Sequence, residues 1–146
     1  MSPNVARDFH QACDNIPNTL VIIKSGQYIA GGFTAAEWKT PTQTQEQARS
    51  DSPSAFFIFS ANRERVYDYV PGEIGITSRK YYGPIFGDDE IEVDSEYPST
   101  FNSARMAGQS YSNQGVENIN TELFGQQFYS IDEYEVYALQ YPASRD

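Results

Sequence analysis

Apolar positions in this chain fall mostly in short runs or alternate with polar ones, and turn residues separate them, a pattern that predicts strands. Residues 19–24 (TLVIIK) form a continuous apolar run, which marks a strand covered on both faces. Ser25 and Gly26 supply a turn, and residues 27–34 (QYIAGGFT) return as the second arm of a hairpin. Gly31 and Gly32 inside that arm predict a bulge or the close approach of another backbone. Residues 55–60 (AFFIFS) read as a second buried strand, Asn62 and Arg63 turn the chain, and residues 64–70 (ERVYDYV) return before a further turn at Pro71 and Gly72. Residues 90–94 (EIEVD) alternate cleanly, with Ile91 and Val93 inward and three acids outward. Residues 128–139 form the last strand region, with Tyr134, Val136 and Ala138 on one face and Glu133, Glu135, Tyr137 and Leu139 on the other.

Helical spacing is confined to the front of the chain. Across residues 4–14, Val5, Phe9 and Ala12 fall on one stripe, and Pro17 sets a limit to the helix. Residues 40–54 contain two prolines and no large apolar residue, which predicts a surface loop. Residues 74–77 and 81–87 read as irregular or strand-like. Residues 97–120, rich in Ser, Asn, Gly and Gln, read as a long excursion with little regular structure. Hairpins throughout predict a mainly β fold, an antiparallel sandwich or barrel with one or two short helices outside it.

Composition strengthens the β reading. There are three leucines against eleven isoleucines, seven valines, eleven tyrosines and nine phenylalanines, the inventory of a pleated surface rather than of helices. The 146 residues fit one domain and bury enough surface to fold without disulfides or metal. The lone Cys13 has no internal disulfide partner, and the first residues carry no apolar leader core, so an intracellular, cytoplasmic setting is expected. No apolar run is long enough to span a membrane. The net charge of −10 is one-sided: residues 1–81 sum to zero, while residues 82–146 carry twelve acids against Arg105 and Arg145. Phosphate-driven nucleic-acid binding and adhesion to an anionic membrane are disfavoured, since both need clustered Lys and Arg.

Few constellations carry chemistry. Glycine-rich phosphate loops are missing, because Gly31-Gly32 lacks a following helix pattern and a Lys. His10 and Cys13, three residues apart on the predicted helix, are placed to be neighbours, but the expected arrangement is a small buried Cys beside a surface His. Six acids crowd residues 88–96. This run is not an EF-hand loop, yet Asp88, Glu90, Glu92 and Asp94 are candidate ligands for a weak divalent-ion site, set against the plainer reading of a solvated strand face. Carboxylate pairs for sugar hydrolysis depend on the fold, not on sequence spacing.

The order of these segments resembles the TLDc domain of the oxidation-resistance proteins and of many protist proteins. FHQACDNIPNTLVIIKSG (9–26) is similar to the family's helix and its PTL-x-x-IK strand, and GGFTAAEW (31–38) to its GG-F/Y-T-x-x-x-W segment. AFFIFS (55–60), YYGPIFGDDEIEV (81–93), SYSNQG (110–115) and FYSIDEYEVYAL (128–139) follow in the family's order. Asn18 stands where a proline is common, Asp88 and Asp89 replace what is often glycine, and the chain starts almost at the helix, so residues 1–146 read as a single domain that is short at its N-terminus relative to the family. The resemblance implies a β-sandwich of two sheets with short flanking helices, no established catalytic residues and no cofactor. It assigns structural weight to Gly31, Gly32, Trp38, Gly83, Phe86, Gly87, Tyr111 and Glu135.

The expectation is therefore a non-enzymatic protein-interaction module linked to protection against oxidative stress, with the vacuolar-type proton pump as the partner the resemblance implies. The expected interaction surface is Asp88, Asp89, Glu90, Glu92, Asp94 and Glu96 together with Glu133 and Glu135. The alternative is a Ca²⁺- or carbohydrate-binding sandwich, or a small hydrolase, carried by Trp38, the tyrosines and the acidic run. Peroxide scavenging through Cys13 fits less well, because there is no second Cys to resolve a sulfenic acid.

Overall fold

A computed structural model describes residues 5–94 and 102–140. Among the described residues one helix, α1 (Val5–Cys13), precedes eleven strands: β1 (Thr19–Ser25), β2 (Tyr28–Thr34), β3 (Glu46–Arg49), β4 (Phe56–Ser60), β5 (Arg65–Asp68), β6 (Ile74–Ser78), β7 (Ile85–Phe86), β8 (Ile91–Glu92), β9 (Asn102–Ala104), β10 (Phe128–Tyr129) and β11 (Glu133–Ala138). They form two antiparallel sheets, in the orders β11-β1-β2-β4-β5 and β10-β9-β8-β7-β6-β3. The mainly β, two-sheet fold expected from the sequence is the observed one.

Period-two patterning sorts the five-stranded sheet into two faces. Val21, Ile23, Ala30, Phe56, Ile58 and Tyr67 point inward and are buried. Across the sandwich stand Phe86, Ile91, Ala104 and Tyr129 of the six-stranded sheet, also buried. The sheets meet closely at Gly32, where a Cβ would come within 2.7 Å of the Phe86 ring. The register there is continuous, so the paired glycines mark close approach rather than a bulge: Gly31 lies against the Val21 carbonyl of the neighbouring strand.

Several local expectations are corrected. Residues 40–54 are not all loop: Glu46–Arg49 pairs with β6 as an edge strand, and only half-buried Ala48 of that strand packs on the core, which is why its sequence shows no apolar alternation. The buried positions of α1 are Ala6, Phe9, His10 and Cys13, while Ala12 is exposed, so the stripe is rotated from the expected one. On β1 only the inward face is fully covered; Leu20 and Ile22 are half-buried and Lys24 is exposed. The 128–139 region divides. β10 joins the six-stranded sheet and β11 the five-stranded one, and between them Asp132 accepts a hydrogen bond from the Gly26 N–H at 2.6 Å. The 97–120 excursion includes β9, and its first residues lie outside the described ones.

Candidate functional site

The acidic run after β7 does not form a row of solvated carboxylates. Asp88 and Asp89 are exposed, but Glu90 is 1 % exposed. Its carboxylate accepts the backbone N–H of Ser110 at 2.9 Å, and its carbonyl accepts that of Arg105 at 2.9 Å. Glu90 therefore fastens the 105–111 segment to the strand, and the expectation of three outward acids is corrected for this residue. The cause is position: β8 is an interior strand, flanked by β7 and β9, and more chain is laid over it. Burial pushes the Glu90 carboxyl up to about 7 from an ordinary 4.5, despite the opposing N–H donors. Glu92 is half-buried and also raised, first by burial; Arg79 opposes the shift, while Asp89, Asp94 and Asp88 add to it. Asp94 is half-buried, and Glu96 lies outside the described residues. Among the described residues, no group of three or more His, Cys, Asp or Glu is placed to hold a metal ion, so the candidate ligands Asp88, Glu90, Glu92 and Asp94 do not come together.

The acids of β11 behave differently. Val136 stands opposite inward-facing Val21 and Tyr134 opposite Ile23, so Glu133, Glu135 and Tyr137 face outward, and all three are exposed. The Tyr137 hydroxyl donates to Glu135. Glu92 points outward from the other sheet, because its neighbour Ile91 pairs with inward-facing Phe86. Glu92 and the β11 acids thus stand on opposite outer faces of the sandwich.

Beside Glu133 and Glu135 lies a surface that sequence reasoning missed. The outward positions of the other four strands are Leu20, Ile22 and Lys24 on β1, Ile29, Gly31 and Phe33 on β2, Phe57 and Phe59 on β4, and Val66 and Asp68 on β5. Val66 is 58 % exposed, Tyr137 47 % and Ile29 36 %, with Leu20, Ile22, Phe57 and Phe59 half-buried and Phe33 buried. Phe33 and Phe57 stack with ring centroids 5.3 Å apart. The signal for this surface was present in the unbroken apolar runs of β1 and β4, which mark both faces of each strand as apolar.

Two polar clusters were also missed. Glu122 is buried, and it receives Arg65 at 3.1 Å, Arg63 at 3.5 Å and the Tyr67 hydroxyl, which ties the 122 region to β5. Burial, with Glu122 adding to it, drives the Tyr67 hydroxyl well above its ordinary range. His10, expected on the surface, is 7 % exposed. Its Nδ1 lies 2.7 Å from Asp14, and its Nε2 lies 2.9 and 3.0 Å from the carbonyls of Arg79 and Tyr82. Nε2 faces only carbonyl oxygens and so donates to them, which joins α1 to the 79–82 segment. The ring is not directed at Cys13, whose thiol is pushed up to about 11 by burial and then by Asp14. A thiol so held is protonated near neutral pH and a poor nucleophile.

The family profile of the TLDc domain matches residues 4–140, nearly the whole chain. The chain belongs to the TLDc family. No curated protein matches it. The TLDc family is generally non-catalytic and is consistent with modules of the oxidation-resistance type.

The TLDc motif residues are mostly packing residues. Trp38 is fully buried, donates from Nε1 to Thr19 Oγ1 at 3.0 Å, and meets Phe9 and Phe86 edge-on at 5.2 and 5.6 Å, so it joins α1 to both sheets. Phe86 packs over Gly32. Gly83 is buried and donates to the Val93 carbonyl at 2.9 Å. Gly87 takes φ +69° beneath the Glu90 carboxylate. Tyr111 is buried, and its hydroxyl donates to the Gly75 carbonyl at 2.6 Å. Glu135 is the exception among them, since it stands on the surface.

Proposed function

We propose that this TLDc chain is a non-enzymatic protein-interaction module of the oxidation-resistance type, working in the cytoplasm, with the catalytic sector of a vacuolar-type proton pump as the partner to test. One observation carries the interaction reading: the outer face of the five-stranded sheet is apolar at its centre and acidic along the β11 edge. Exposed contiguous apolar surface rimmed by charge is the signature of a docking site. The pump itself rests on the family resemblance.

The test is a titration of the chain with purified pump catalytic sector at increasing ionic strength. Binding that weakens as salt rises is expected, since charges of one sign steer association. Failure to bind at the lowest salt contradicts the pump assignment. The link to oxidative stress is tested with Cys13→Ser in an oxidant-survival assay. The variant is expected to protect as well as the parent; loss of protection would move the chemistry to the thiol.

A further inference from the structure

We propose that the outer face of the five-stranded sheet seats a basic amphipathic helix of the partner, with an apolar stripe packed on Ile22, Ile29, Phe57, Phe59 and Val66 and with Lys or Arg flanking that stripe. The inference rests on the interaction-module reading and adds the chemistry of what the module holds.

A sheet that meets water on one side alternates apolar and polar residues along its strands. Here β1 and β4 are apolar on both faces, and α1 does not supply the cover. α1 packs against buried Trp38 and reaches Arg79 and Tyr82 through His10, and none of these partners is an outward residue of β2 or β4. A sheet face of this kind is buried in folded proteins by a second layer of structure.

The backbone argues for a helix as that layer. β1, β2 and β4 are interior strands whose N–H and C=O groups are engaged with neighbours on both sides. An extended peptide laid on their side chains would bury its own amides without partners, which is unfavourable; a helix satisfies its amides internally. Size agrees as well. Five strands about 4.8 Å apart place the β11 and β5 edges about 19 Å from each other. A helix about 11 Å across, lying along the central strands, leaves about 4 Å on each side, within reach of a flanking Lys or Arg.

Charge argues for basic flanks. Glu133 and Glu135 line the β11 edge and Asp68 lies at the β5 edge, while Lys24 is the outward cation of β1, set opposite Glu133. These four charges sum to −2, so acid stands at both margins of an apolar strip, the complement of a helix with a basic residue on either side of its apolar stripe.

The probe is a fluorescein-labelled 15-residue peptide with Leu at i, i+3, i+4 and i+7 and Lys on both flanks, followed by anisotropy on the full chain. Two peptides serve as controls: one of the same composition with scrambled order, and one with Glu replacing Lys. The Lys peptide is expected to bind, and both controls to bind at least tenfold more weakly. Ile29→Asp with Val66→Asp is expected to reduce Lys-peptide affinity tenfold or more. Glu133→Lys with Glu135→Lys is expected to reduce it similarly and to favour the Glu peptide. Both pairs lie at exposed positions and should melt close to the parent by circular dichroism; if the first pair unfolds, Val66→Ser alone gives the apolar test. No binding, equal binding of the scrambled peptide, or variants that bind like the parent would overturn the proposal. So would sedimentation showing a parent dimer that Val66→Asp dissolves, because the occupant would then be a second copy. The same variants titrated against the pump sector separate the two readings. Pump binding unaffected by the variants leaves the module and removes the helix seat; peptide binding without pump binding does the reverse.

Discussion

Two acidic strands of this chain share a sequence pattern and have opposite fates. Residues 90–93 read EIEV and residues 133–136 read EYEV. In the first, Glu90 is buried beneath the 105–111 segment and Ile91 is fully covered. In the second, Glu133 and Glu135 stand in solvent and Val136 is only half-buried. Alternation shows that a strand has two faces. Rank within the sheet, and what the chain later lays over it, decide how much of each is hidden: β8 is interior, whereas β11 is an edge.

Substitution can break that contrast, and the largest effect is expected at Ile91. Ile91→Ala removes a fully buried side chain and should cost about 2–5 kcal/mol in chemical denaturation. Tyr137→Ala on the outer face of β11, 47 % exposed, should cost well under half of that. Equal losses would place the two strands in the same environment.

Next comes pH. The folded carboxyl of Glu90 lies at about 7, above its ordinary 4.5, so the folded state holds this proton more tightly than the unfolded state does. The stability this supplies is complete below about 4.5 and is lost as pH rises through 7, a change of about 3 kcal/mol. Glu90→Gln should flatten thermal stability across that window by a comparable amount. An unchanged slope would show that Glu90 reaches solvent.

Smaller again is Gly32→Ala, which brings a Cβ to 2.7 Å from the Phe86 ring and should destabilise by about 1–3 kcal/mol, because the two sheets must part to admit it. Smallest is Glu135→Gln, at an exposed position, expected within about 0.5 kcal/mol of the parent.

The fold was legible where both faces of a strand carry apolar residues or where turns punctuate them, so the β1–β2 and β4–β5 hairpins and the mainly β class follow from the residues alone. The Gly31-Gly32 pair announced either a bulge or a close approach, and it is the second, since a Cβ at Gly31 would strike the Val21 carbonyl and one at Gly32 the Phe86 ring. β3 was not legible, because its four residues (EQAR) sit at a sheet edge and only Ala48 touches the core. The burial of His10 and Glu122 was hidden for a different reason. Each is compensated by partners far along the chain, His10 by the carbonyls of Arg79 and Tyr82 and Glu122 by Arg63, Arg65 and Tyr67. That Glu92 and the β11 acids fall on opposite faces was not legible, because a charge sum over residues 82–146 carries no information about which sheet each acid joins.

Carboxyl footprinting tests the central contrast most directly. The native chain is treated with a water-soluble carbodiimide and glycine ethyl ester, and labelling is read residue by residue by mass spectrometry. Glu133 and Glu135, with Asp88 and Asp89, should label rapidly, while Glu90 and Glu122 stay protected until the chain unfolds. Labelling of Glu90 at the rate of Glu135 in the native chain would contradict the account.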